Sequence, residues 1–378
     1  MPEPTSPTPA LFRPMALRGL DLANRIVVAP MCQYSAADGC AQPWHEQHLG
    51  SLTLSGAGLV MIEATAVEPE GRITLGCLGL YDEPTEAALT DTIRAIRHFS
   101  ATPIGMQLGH AGRKAAAHVP WHGGGPLDPD EGAWRPVGAS PLPHLELWQT
   151  PIELDAAGLA RVKAAFVTAT GRALRAGIDL LELHGAHGYL LHTFLSPLSN
   201  QRTDRYGGAR ERRMRFPLEV FEAVREAWPA DKPLGMRLSA TDWLDGGLTI
   251  ADTIAFGHEL KARGIDYVCI PSGGIGRPRI PVAEGYQVPL ARQFRAETGI
   301  ATRAVGMIAD PHHAERIVAE HDADMVALAR AVIDDPRWPW HAAAALGTRI
   351  AYPPQYERGA PALWPGYRLA HRTQDAQN

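Results

Sequence analysis

Eight short apolar runs, spaced along the whole chain, constrain its fold more than any other feature. They are Arg25 to Pro30, Gly58 to Glu63, Pro103 to Leu108, Ile178 to Leu183, Pro233 to Leu238, Ile265 to Ile270, Ile300 to Val305 and Ala323 to Leu328. Their length and apolar content suit strands buried in a parallel sheet. Between most of them apolar residues recur at helical spacing: Leu89, Ile93 and Ile96; Leu159, Val162, Phe166 and Leu174; Leu218, Phe221 and Val224; Ile250, Ile254 and Leu260; Ile317 with Val318. Asp310-Pro311 and Asp335-Pro336 read as N-caps followed by proline at the first helical position, which starts helices after the seventh and eighth strands. Eight strands alternating with helices predict a single (β/α)8 TIM barrel. A doubly wound α/β sheet is the runner-up, but it needs a glycine-rich turn after the first strand, and Pro30-Met-Cys-Gln-Tyr34 is not one.

A barrel of this kind takes about 250 residues, so a chain of 378 carries a surplus. It falls in an N-terminal hairpin over Leu17 to Asn24, a long capping loop after the third strand over 111–150, and a C-terminal extension. The expected division is a disordered Pro-rich tail over 1–10, one catalytic domain over 11–350 and an extension over 351–378 that contacts a neighbouring subunit. With a formal net charge of -5, the chain has no basic stripe for nucleic acid and no polybasic segment for anionic lipid. No window resembles a membrane span, so a small-molecule partner is favoured. The cysteines Cys32, Cys40, Cys77 and Cys269 are scattered without a C-x-x-C pair, which fits a reducing cytoplasm and argues against a zinc ribbon or iron-sulfur cluster.

Chemistry concentrates where the fourth run ends, at His184-Gly-Ala-His187-Gly-Tyr189. Two imidazoles on one loop can aim donors at a single ligand oxygen while a phenol supplies a proton to a neighbouring atom. The pair alone is equally compatible with half of a metal site or with loop polarity. In a barrel the other strand ends converge on the same mouth: Cys32 and Tyr34, Ala64 and Thr65, Gln107 and His110, Arg237, Ser272 and Gly273, Gly306 and Met307, Ala329 and Arg330. That set lacks the clustered carboxylates of a divalent metal site, a Schiff-base lysine and a nucleophile elbow. It suits a planar, amide-rich, phosphorylated ligand: Gln107 can pair with a carbonyl and an N–H, Arg237 can stabilise negative charge on a ring, and Gly306 with Arg330 sits where barrels often bind phosphate. Flavin mononucleotide meets all three demands.

Pro30-Met-Cys-Gln-Tyr34, Glu63-Ala-Thr-Ala66, Gln107-Leu-Gly-His-Ala-Gly-Arg113, Glu182-Leu-His-Gly-Ala-His-Gly-Tyr189 and Asn200-x-Arg202-x-Asp204-x-Tyr206-Gly-Gly208 resemble the Old Yellow Enzyme family of flavin-dependent ene-reductases, from about residue 11 to 359. Cys32 and Gln355-Tyr-Glu-Arg-Gly359 resemble its thermophilic-like bacterial subclass. The resemblance implies noncovalent FMN, with NADPH or NADH as reductant and an activated alkene as substrate. It implies that His184 and His187 hold the alkene's oxygen and that Tyr189 protonates the α carbon. It further implies that Gln107 and Arg237 hold the flavin's pyrimidine edge, that Pro30, Met31 and Ala64 line the ring, and that Cys32 tunes it. Tyr34 joins the substrate pocket, and Gly306, Met307, Ala329 and Arg330 take the phosphate. Arg358 is expected to reach a neighbouring subunit's site in a homodimer or homotetramer.

Two positions depart from the family's pattern: Ala329 stands where glycine is common, tolerable if its φ is negative, and Arg303 inside the seventh strand has no evident partner. Competing readings are a metal-dependent barrel hydrolase using His184 and His187, and a flavin-binding sensor without turnover.

Overall fold

In the computed structural model, which describes residues 7–370, all eight apolar runs become strands of one closed ring. β1 (Ile26–Val28), β2 (Leu59–Ala66), β3 (Ile104–Gly109), β4 (Leu180–Gly185), β5 (Leu234–Leu238), β6 (Tyr267–Ile270), β7 (Ala301–Val305) and β8 (Met325–Leu328) each pair in parallel with the next, and β8 pairs back onto β1. Around them lie α1 (Pro43–Thr53), α2 (Glu83–Arg97), α3 (Ala156–Arg175), α4 (Arg210–Ala227), α5 (Ile250–Ala262), α6 (Val288–Thr298), α7 (Pro311–Ala319) and α8 (Trp338–Ala345). The helix starts are chemically marked. Asp82, Asp155, Thr249 and Asp310 each accept a backbone N–H in the first turn, so orphan donors are satisfied where the chain leaves a loop.

The eighth start departs from expectation. A short helix, Arg330–Asp334, intervenes first, and α8 begins at Trp338 with Arg337 as its cap. Asp335 is drawn off by Arg337 N–H (2.9 Å) and by His341 Nδ1 (2.6 Å).

The hairpin pairs Met15–Leu17 with Leu20–Leu22, two residues earlier than expected. Arg18 at its turn meets Asp266, which precedes β6, and Gly19 N–H donates to Asp231 O ahead of β5. It therefore covers the amino-terminal end of the barrel, and Leu17 and Leu22 join Val27, Leu59, Leu180 and Met325 in one buried cluster. The opposite, carboxyl-terminal mouth is left for chemistry. Of the tail expected over 1–10, residues 1–6 lie outside the described residues. Ala10 opens a 3-10 turn whose Ala10 and Leu11 N–H groups donate to Glu315 at 2.8 Å each.

The segment after β3 is the expected long excursion, with strand Val137–Gly138 pairing Ile152–Glu153. Arg202 ties it down by donating to Ala139 O (3.0 Å) and Leu154 O (2.8 Å), and Asn200 Nδ2 donates to Phe194 O and Tyr206 O, so this motif is structural. Beyond α8, Tyr352 stacks on Trp340 at 4.1 Å, Arg337 lies over Tyr356 at 5.0 Å, and Pro354–Gly359 forms a 3-10 turn. Residues 371–378 of the extension lie outside the described residues. No described helix is long and apolar enough to cross a membrane.

Candidate active site

β4 runs two residues further than the sequence suggested, so His184 is still on the ladder, directly opposite Arg237 on β5. The chain then turns sharply. His187 adopts a left-handed backbone with φ of 58°, a conformation that costs a non-glycine residue of order 1–3 kcal/mol and persists only when its surroundings enforce it. Three contacts enforce it. Its N–H donates to Ser239 Oγ (3.0 Å), its carbonyl accepts from Lys114 Nζ (3.0 Å), and Gly274 lies so close that a Cβ there would come within 2.1 Å of the His187 carbonyl carbon. Below this turn Gly188 N–H donates to His192 Nδ1 (2.8 Å), and His192 Nε2 lies 3.1 Å from the buried Asp242 carboxylate.

This scaffold gathers three rings. His184 lies edge-on to His187, with centroids 5.3 Å apart, and edge-on to Tyr189 at 4.7 Å. Burial and the neighbouring Arg237 push the pKa of both histidines well below the usual imidazole range, so both are neutral at physiological pH. His184 Nδ1 accepts the Ala186 N–H at 3.3 Å. A neutral imidazole accepting there carries its proton on Nε2, the nitrogen left free to donate. Burial first, and then Cys32, raise the Tyr189 pKa far above the ordinary phenol value, so the phenol keeps its proton until a stronger base forms beside it.

Around these rings the structure brings together most of the expected residues. Cys32 follows β1 and its thiol meets that of Cys77; this contact first, and burial second, raise its pKa, while the same contact lowers that of Cys77. Cys77 lines one small pocket with Ala64, His184 and Tyr189. Pro30, Met31 and Ala64 are half-buried at the ends of β1 and β2. Tyr34 packs edge-on against Trp121 at 5.7 Å, and burial raises its phenol pKa. Trp121 is 64% exposed, whereas Trp148 lies edge-on to His144 within the capping loop and Trp134 donates from Nε1 to Glu70 O at 2.9 Å, in the segment after β2. His110 lines the same pocket as Cys77 and bonds Glu68 at 2.8 Å.

Two positions at the floor differ from expectation. Gln107 does point its amide at a partner, but that partner is protein: Nε2 donates to Glu182 Oε1 at 2.7 Å, leaving the carbonyl and one N–H. Arg303 is fully buried and does have a partner, the Glu182 carboxylate. Sequence reasoning missed Glu182 because it treated β4 as an apolar run with its chemistry only past its end.

Arg237, at the end of β5, has a buried Nε with no hydrogen-bond partner among the described residues. An unpaired guanidinium nitrogen on β5 and a half-satisfied amide on β3 fit a planar ring of carbonyl and N–H groups that takes on negative charge, which is the chemistry of FMN. After β6 to β8, Gly306 has φ of 110°, and Gln287 occupies the space its side chain would need, donating to Val305 O at 3.0 Å. Met307 is 48% exposed and Arg330 is exposed nearby. Ala329 has φ of -114°, so alanine there carries no left-handed strain.

Lys114 is the other functional residue sequence reasoning missed. Its Nζ lies 5.0 Å over the Tyr189 ring, and burial brings its pKa down to about 8. It directly follows the Gln107 to Arg113 motif, and that adjacency was the available signal. Arg358 is exposed in its 3-10 turn and bonds nothing among the described residues of its own chain.

The chain as a whole has known relatives. The sequence profile of the NADH:flavin oxidoreductase / NADH oxidase family matches residues 10–348. An NADPH dehydrogenase of Geobacillus thermodenitrificans (strain NG80-2) is 42% identical over 351 residues, covering 92% of this chain and 98% of its own. Among solved structures, morphinone reductase in complex with tetrahydroNAD superposes with a TM-score of 0.73 at 28% identity, covering 92% of this chain and 94% of that one. A 2-naphthoyl-CoA reductase shares the fold at 24% identity with a TM-score of 0.80; the match covers 90% of this chain and 52% of the reductase's length.

Proposed function

Because the chain belongs to the NADH:flavin oxidoreductase / NADH oxidase family, that of Old Yellow Enzyme, and is an FMN-dependent NAD(P)H oxidoreductase, we propose that its barrel mouth reduces activated alkenes such as α,β-unsaturated ketones, aldehydes, imides and nitroalkenes. Family membership sets aside the hydrolase and sensor readings. Bound FMN supplies hydride chemistry, from the nicotinamide to the β carbon of the alkene. The protein's part is to hold and to protonate. His184 donates through Nε2 and His187 through its own ring to the carbonyl or nitro oxygen; being neutral, they polarise the double bond without giving up a full proton. Tyr189, 4.7 Å from His184 centroid to centroid, then protonates the α carbon. The observation that carries this reading is that convergence of two neutral imidazoles and a protonated phenol at one strand exit.

In this reading Gln107 and Arg237 hold the pyrimidine edge, Pro30, Met31, Cys32 and Ala64 line the ring, and Tyr34 with Trp121 flanks the substrate. Gly306, Met307, Ala329 and Arg330 take the phosphate. Four free cysteines are consistent with a reducing cytoplasm.

The test is phenol binding, since a phenolate mimics the polarised oxygen and draws a long-wavelength charge-transfer band from a bound flavin. Replacing His184 and His187 together by Ala is expected to abolish the band with p-hydroxybenzaldehyde while the flavin stays bound. An undiminished band in the double variant refutes the oxygen-holding role.

The proposal extends to Arg358 as a contributor to a neighbouring copy's pocket, supported by its exposure on an aromatic-anchored turn and by the resemblance of Gln355 to Gly359 to the thermophilic-like subclass. Deleting residues from 353 onward is then expected to raise the KM for alkene and to weaken the oligomer together. Unchanged kinetics and unchanged light scattering remove Arg358 from the site.

A further inference from the structure

We infer that Arg303, at the centre of the barrel, is a positioning residue for the flavin's polar edge and acts through Glu182 and Gln107. The inference rests on the assignment of the barrel mouth as the flavin site.

Arg303 stands on β7 and Glu182 on β4, so their side chains meet across the lumen, and both are 0% exposed. Arg303 Nη2 donates to Glu182 Oε2. The other carboxylate oxygen, Oε1, accepts from Gln107 Nε2 at 2.7 Å, and Gln107 and Glu182 are opposite residues on neighbouring strands. Nη2 is the guanidinium's bonded nitrogen, while Nε and Nη1 are buried without a hydrogen-bond partner among the described residues and face an aromatic wall. The guanidinium lies 5.1 Å over the Tyr267 ring, and that ring fills the space above Gly235, where a Cβ would come within 2.2 Å of it.

The consequence is an order imposed on one amide. A glutamine side chain can flip, exchanging its oxygen and its NH2 at nearly equal cost. A carboxylate only accepts, so Gln107 must turn its nitrogen to Glu182, and its carbonyl and second N–H then face away in a fixed sequence. A pyrimidine edge that alternates carbonyl and N–H groups can read that sequence. Burial opposes charge on Arg303, but the neighbouring Glu182 more than offsets it and drives the guanidinium pKa up, so Arg303 stays charged. Apolar residues of similar volume would fill the lumen as stably as a buried ion pair. They could not orient Gln107.

The experiment compares three variants as holoenzymes: Arg303→Lys, the double change Glu182→Met with Arg303→Met, and Glu182→Gln. The readouts are FMN released on dilution, followed by its fluorescence, the visible spectrum and the flavin reduction potential, with circular dichroism as the check on fold. The lysine variant, which keeps the charge, is expected to stay close to wild type. The double methionine variant leaves no unpaired charge. It is expected to fold but to bind FMN roughly tenfold more weakly, the worth of about one well-formed hydrogen bond, with a more negative potential. Should the double variant not fold, Glu182→Gln carries the test: Arg303 claims its one amide oxygen, so its NH2 faces Gln107 and turns that amide over, and the same weakening is expected with the shape kept. A folded double or Glu182→Gln variant with wild-type FMN release, spectrum and potential makes the pair a core filler and overturns the inference alone. Wild-type protein that neither purifies with FMN nor takes it up removes the site assignment and the inference together.

Discussion

Replacing Tyr189 by Phe is expected to slow reduction of an activated alkene by about 10²- to 10⁴-fold while leaving reduction of the bound flavin by NADPH at its wild-type rate. The asymmetry follows from where the proton is needed. Hydride arriving from the nicotinamide requires no acid, whereas hydride arriving at the alkene leaves negative charge on the α carbon and its oxygen, and only there does a phenol matter. Burial, with Cys32 next, holds the Tyr189 proton in place far above the ordinary phenol range, so below that range the group is protonated and the rate gains nothing from titrating it. Removing only the hydroxyl keeps the ring that packs against His184 and lies under Lys114. Stopped-flow measurement of the two half-reactions separates the outcomes. Equal slowing of both means that Tyr189 is a pocket wall or a cofactor contact.

Arg303→Met is expected to cost about 3–5 kcal/mol of stability, because it strands the Glu182 carboxylate in the barrel lumen. Restoring neutrality with Glu182→Met is expected to recover most of that loss, since the methionines can fill the same volume without leaving a charge unpaired. Unfolding of each variant at saturating FMN keeps cofactor linkage constant across the set. A single variant within 1 kcal/mol of wild type, on the scale expected for a surface pair, shows that the lumen admits water and that the pair is not buried in solution.

The barrel was legible in the sequence because its strands are buried on both faces, so each reads as an uninterrupted apolar run, and because caps such as Asp310 sit where helices begin. The Asp335 cap misled for a local reason: an aspartate followed by proline also suits a short irregular turn, and here Arg337 and His341 engage the carboxylate before a helix can. At the site, residue types at strand ends were enough to nominate His184, His187, Tyr189, Gln107 and Arg237. What stayed hidden were contacts between distant strands. Glu182 and Arg303 are 121 residues apart, and nothing local to either marks the other as its partner. Cys77 was equally silent, and Lys114 was marked only by its place directly after the Gln107 to Arg113 motif, since their contacts come from loops folding over the mouth rather than from periodicity. Backbone strain at His187 is invisible in a sequence too; it appears only once Ser239, Lys114 and Gly274 are seen to enforce it.

The central claim, that this mouth passes hydride from a nicotinamide to an activated alkene, is tested most directly by one anaerobic absorbance experiment. Purified protein is titrated with NADPH and then given 2-cyclohexenone, and the flavin band is followed throughout. The account requires the band to bleach on the first addition and to recover on the second, with saturated cyclohexanone formed in step. A band that bleaches but does not recover with this or any other activated alkene contradicts the proposed substrate class, and a band that never bleaches contradicts the proposed hydride path.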